Sequence, residues 1–96
     1  MSCYFVANIR MKNPFVYAKY LEKCDEVFAK YDGKYLAVNE NPEVLEGEYK
    51  YSKVVIIEFK NQNDLKHWYY SRKYQEIVKF RLEGAHCDAI IVDGNT

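Results

Sequence analysis

The run Lys53-Val54-Val55-Ile56-Ile57-Glu58-Phe59 carries four successive β-branched residues, then a carboxylate and an aromatic ring. A strand covered on one side alternates apolar with polar, and this one does not, so it is expected to be buried on both faces. Cys3–Ile9 shows the same pattern apart from Asn8, and Asp88–Val92 reads as a last strand ahead of a fraying Asp93–Thr96 tail. Gly33–Val38 reads as a strand broken by the turn chemistry of Asn39-Glu40-Asn41-Pro42, with Glu43–Glu46 resuming it beyond a bulge.

Between the strands the apolar period changes. Tyr17, Leu21, Cys24, Phe28 and Tyr31 recur at steps of four and three, which places them on one face of a helix of about five turns. Asn13 caps it and Pro14 takes the first helical position, where the missing amide costs nothing. Asp32-Gly33 ends it, with Gly33 expected as a left-handed cap. A second helical region starts after Asn63, with Leu65, Trp68 and Tyr69 on one face. A third starts at Ser71 and carries Tyr74, Ile77, Val78, Arg81 and Leu82 together, closing at Gly84.

The order strand, helix, strand, strand, helix, strand predicts an α+β fold, the ferredoxin-like βαββαβ plait. Its four-stranded antiparallel sheet carries helices on one face only. Since three of the four strands are apolar on both faces, the bare face is expected to meet that of a second copy in a homodimer. All of this fits in one domain spanning residues 1–96, too short for a second core.

Composition narrows the partners. Lys+Arg 14 against Asp+Glu 14 leaves no net charge, which argues against a nucleic-acid or anionic-membrane binder. The central strand also lacks the glycine-rich basic signature of RNA-recognition plaits. No apolar run approaches the ~18 residues of a membrane span. Cys3, Cys24 and Cys87 are odd in number and in no metal-ligand spacing, and His67 and His86 have no matched partners, so neither a metal site nor a cofactor motif is read. With no leader pattern after Met1, a reducing, cytoplasmic setting is expected.

The series Asn13-Pro14-x-x-Tyr17, Tyr31-x-Gly33-x-Tyr35-Leu36, Val44-Leu45-Glu46-Gly47, Val54–Phe59, Trp68-Tyr69-x-Ser71-x-x-Tyr74-Gln75, Arg81 and Val92-x-Gly94 covers nearly the whole chain. In order and spacing it resembles the domain of unknown function 1330 family of the dimeric α+β barrel superfamily. The chain departs from the family's habit at Asp32-Gly33, where Gly-Gly is usual, and at Val38-Asn39-Glu40. It departs again at Ser71-Arg72-Lys73-Tyr74, which replaces Ser-Pro-Glu-Tyr. The resemblance implies a dimeric ferredoxin-like fold and no particular activity. Superfamily neighbours include cofactor-free monooxygenases, haem-degrading enzymes and stress-responsive proteins.

Two residues stand out as candidate catalytic groups. Glu58, in an apolar strand, is either a desolvated general base or a strand-end carboxylate held by Arg81 or a lysine. Arg81, on the apolar stripe of the last helix, could clamp an organic anion in its fork or satisfy Glu58. Tyr31, Tyr35, Trp68, Tyr69 and Tyr74 bring rings toward the helix–sheet interface, as pocket lining or as core. The functional expectation is therefore a small dimeric protein that binds or transforms a small organic molecule. Any turnover would be cofactor-independent, of monooxygenase or isomerase type; the alternative is a binding or stress-related module without turnover.

Overall fold

The computed structural model describes residues 2–95. Four strands and three helices follow in the order β1 (Cys3–Met11), α1 (Pro14–Phe28), β2 (Lys34–Asn39), β3 (Lys53–Phe59), α2 (Gln62–Tyr69), α3 (Arg72–Gly84) and β4 (Ala85–Asp93). The strands form one antiparallel sheet in the order β2-β3-β1-β4. This is the ferredoxin-like α+β plait, with its second helical region split in two.

Local chemistry accounts for the boundaries. The Phe15 and Val16 amides donate to Asn13 Oδ1 at 3.1 and 3.3 Å, which starts α1 with Pro14 in its first turn. Ser71 Oγ accepts from the Tyr74 amide at 3.2 Å and starts α3. At α2 the cap is Asn61 rather than Asn63: its side chain accepts from the Asp64 amide at 2.8 Å, so the helix begins two residues earlier than expected. Helix α1 stops at Phe28, short of Tyr31. Gly33 is not left-handed; the only positive glycine φ among the described residues is Gly47, at 77°. What demands glycine at position 33 is proximity, because a Cβ there would lie 2.6 Å from the Phe28 ring and 2.7 Å from Phe59.

The sheet also departs from expectation at its ends. Residues 43–46 do not resume β2; an irregular segment connects Asn39 to Lys53, and the bulge falls inside β2 between Tyr35 and Ala37. Strand β4 starts at Ala85, three residues earlier than its apolar run, because pairing with β1 carries the polar His86-Cys87-Asp88 into the ladder.

Register decides which residues share a face. Cys3, Phe5, Ala7 and Ile9 of β1 pair with Phe59, Ile57, Val55 and Lys53 of β3, and both sets turn toward the helices. There Trp68 sits among Phe5, Phe28, Phe59 and Tyr74, with ring centroids 5.2, 5.8, 5.5 and 4.4 Å away. Tyr4, Val6, Asn8, Val54, Ile56 and Glu58 occupy the other face, with Ile90 and Val92 of β4 in register beside them. No helix covers that face, and Ile90 remains 57% exposed.

Candidate functional site

Helix α1 packs chiefly on α3 and stands away from the sheet. The contact begins at Gly84, whose carbonyl accepts from the Lys12 and Asn13 amides at 2.9 and 2.8 Å. A Cβ at Gly84 would lie 2.6 Å from the Tyr17 amide nitrogen, so the absence of a side chain lets α1 start directly against the end of α3. The space left between α1 and the sheet is a cavity of about 520 Å³. Its floor is Phe5, Ala7 and Ile9 of β1 with Lys53, Val55 and Ile57 of β3. Tyr17, Tyr20, Cys24 and Arg81 form the inner wall, and Leu21, Asp25, Tyr35, Val38 and Glu40 complete the lining from α1 and the β2 side.

Two cations are buried in this lining. Arg81 is 3% exposed and Lys53 8%. The Arg81 guanidinium carbon lies 5.7 Å from the centre of the Tyr20 ring, and Lys53 Nζ 5.1 Å from that of Tyr17. Neither cation has a carboxylate within 4 Å among the described residues, where the ion pairs are Arg72–Glu76 and His86–Asp88. Arg81 Nε and one terminal nitrogen are buried with no hydrogen-bond partner. Burial works against the guanidinium charge, yet the oxygens of Tyr74 and Tyr20 and the sulfur of Cys87 more than offset it and hold the group firmly cationic.

The remaining inner groups are pushed the other way, toward their neutral forms. Burial raises the Tyr17, Tyr20 and Tyr35 hydroxyls above the usual tyrosine value, and it raises the Cys24 thiol as well. Tyr20 and Tyr74 share a hydroxyl–hydroxyl hydrogen bond of 2.8 Å behind the cavity wall. The arrangement can therefore hold an anion against fixed positive charge, and it surrounds that charge with apolar rings.

The residues singled out from sequence separate into three groups. Arg81 and Tyr35 line the cavity. Trp68 and Tyr74 are core, almost fully buried, while Tyr69 packs on their rings and Tyr31 meets the His67 ring at 5.6 Å; none of these four lines the cavity. Glu58 lies on the opposite, uncovered face of the sheet, in register with Tyr4 and Lys34, so the fold does not bring it to Arg81 within one subunit. The cavity residues that periodicity did not single out are Tyr20, Lys53, Asp25 and Glu40. Lys53 alternates with Val55, Ile57 and Phe59 in the sequence, but only its register with Ile9 places that set on the helix-facing side. Tyr20 carried no such signal.

With this geometry in view, the comparisons are consistent with one another. The family described as domain of unknown function (DUF1330) matches residues 2–95. The chain belongs to that family. No curated protein matches it. Among solved structures it is similar to a protein of unknown function from Rhodopseudomonas palustris, with a TM-score of 0.76 at 19% identity over 99% of this chain and 83% of that one. A dimeric ferredoxin-like protein of unknown function from Jannaschia sp. CCS1 superposes with a TM-score of 0.81 at 8% identity, covering 98% of this chain and 100% of that one. SnoaB from Streptomyces nogalater, described as a cofactor-independent oxygenase, gives 0.70 at 10% identity, over 99% of this chain and 94% of that one. Identities this low establish a shared fold and no more.

Proposed function

We propose that this DUF1330 protein binds a small, largely apolar organic molecule in the cavity between α1 and the sheet. The observation that carries the reading is the cavity itself. Its volume of about 520 Å³ lies within the ~300–1,000 Å³ of small-molecule sites, and its walls are aromatic and aliphatic with a few convergent polar groups. Arg81 and Tyr35 act there. Glu58 is assigned instead to contact between copies, since the uncovered face that carries it is where the homodimer forms. Dimeric neighbours with the same fold support that assembly.

The buried hydroxyls and thiol of the pocket are held as proton donors, which favours binding over a reaction that begins with proton abstraction by these groups. Tyr17, Tyr20, Tyr35 and Cys24 are all driven by burial toward forms that cannot accept a proton near neutral pH. A cofactor-independent oxygenase, as SnoaB is described, would here need a base from Asp25 or Glu40.

The test uses a neutral environment-sensitive dye, N-phenyl-1-naphthylamine, whose fluorescence rises in an apolar site. The wild-type protein should bind it saturably. Ala7→Phe, which places a ring on the cavity floor, should reduce that affinity at least ~10-fold, about 1.4 kcal/mol. Saturable binding unchanged in Ala7→Phe and in Val55→Trp would place the dye elsewhere and defeat the reading.

A further inference from the structure

Resting on that reading, we propose that the ligand is an organic acid with an apolar, ring-sized body. Its carboxylate is taken up by Arg81, with Lys53 as the second cation of the cradle. Two observations converge. The cavity holds two nine-tenths-buried cations from different elements, α3 and β3, and neither is paired with a protein carboxylate among the described residues. Arg81 lines the cavity, and two of its guanidinium nitrogens, Nε and Nη1, have no protein acceptor. A carboxylate brings two acceptor oxygens and a full negative charge to a guanidinium, which a hydroxyl or a single carbonyl cannot do.

The surrounding side chains set the rest of the ligand. Tyr17 and Tyr20 stand beside the cations, with ring centroids 5.7 Å apart, and Phe5, Val55 and Ile57 supply apolar floor. The cavity's own carboxylates, Asp25 and Glu40, are solvent-exposed and make no ion pair with Arg81 or Lys53. An acid entering from their side therefore leaves repulsion at the exposed rim and meets positive charge at the buried wall. That polarity orients it carboxylate first.

A buried cation without a partner is unfavourable for the empty fold, and replacement by an apolar side chain of similar length is often neutral or stabilising. Arg81→Met is accordingly expected to unfold no earlier than wild type in the absence of ligand, while losing acid recognition. A residue kept only for packing would show the opposite pattern.

The experiment is titration calorimetry with 2-naphthoate and the isosteric neutral 2-naphthamide, on wild type, Arg81→Met, Arg81→Lys, Lys53→Met and Lys79→Met. Wild type and the surface control Lys79→Met should prefer the acid at least ~10-fold. Arg81→Met should abolish the preference, Arg81→Lys should weaken it by keeping charge without the fork, and Lys53→Met should reduce it. If Arg81→Met does not fold, Arg81→Lys and Lys53→Met still decide. Acid and amide binding within twofold in wild type overturns the proposal while leaving the neutral-ligand pocket intact, provided the amide displaces the dye. A preference that survives every Arg81 and Lys53 variant overturns it too, as does failure of both compounds to bind a protein whose cavity takes the dye.

Discussion

At the level of single residues, burial without pairing is what distinguishes this protein. Glu58 attracted attention as a charge in an apolar strand, but the buried charges between helices and sheet are Arg81 and Lys53. The tyrosines around them have a consequence for pH dependence. Tyr17, Tyr20, Tyr35 and Tyr74 all have folded values above the ordinary 10.0, chiefly through burial. Above about pH 10 the unfolded chain loses tyrosine protons that the folded chain retains, so stability falls with rising pH there. Below that window this contribution is fully present. Urea unfolding from about pH 9 to 11 should show the decline, and Tyr20→Phe should make it shallower by up to about one proton. A slope identical in wild type and Tyr20→Phe would mean that Tyr20 ionises equally in both states.

At the level of elements, the α1–α3 contact determines whether there is a cavity at all. Periodicity predicted α1 and its cap, and the structure agrees on Asn13, Pro14, Tyr17, Cys24 and Phe28. It did not predict that Leu21 would stay half exposed, since a residue over a cavity has no opposing wall to bury it. Leu82, likewise expected in the core, is 51% exposed, while its neighbour Arg81 turns inward. Gly84 is the residue that allows this arrangement. Gly84→Ala forces a methyl group against the Tyr17 backbone, which cannot yield as a flexible side chain would. A loss of about 1–3 kcal/mol in chemical denaturation is expected, accompanied by weaker dye binding as α1 shifts. Unchanged stability and unchanged dye affinity would show that α1 is not seated by this contact.

At the level of the whole molecule, the uncovered sheet face is organised by rows. Ala37, Ile56, Val6 and Ile90 lie in register across all four strands, flanked by Lys34-Glu58-Tyr4-Val92 on one side and Asn39-Val54-Asn8-Asp88 on the other. The second flank is dressed with polar contacts: Tyr49 donates to Asn8 at 2.8 Å, Tyr51 donates to Asp88, and His86 lies 3.6 Å from the same carboxylate. An apolar centre with a polar border is the anatomy of a contact between protein surfaces. Ile56→Asp should halve the mass measured by light scattering after gel filtration. Leu45→Asp, the same kind of change on the exposed connection, should not. Wild type running as a monomer at micromolar concentration would remove the basis of this prediction.

What the sequence determined by itself was the set of elements, their order and hence the plait. Those depend on local periodicity, caps such as Asn13 and Ser71, and the apolar double-sidedness of β1, β3 and β4, all of which act within a few residues. The early start of β4 and the abrupt end of α1 were not legible, because ladder pairing with β1 and ring packing around Gly33 join residues far apart in the chain. The cavity belongs to the same category. Which of Glu58 and Lys53 faces the helices depends on a register one residue wide, since a slip of one exchanges the two faces of a strand. That Arg81 borders a cavity, instead of packed core alone, depends on how closely Gly84 lets the start of α1 seat against the end of α3. Tertiary structure decided the site because a cavity is a property of the distance between elements, and no single element's sequence encodes that distance.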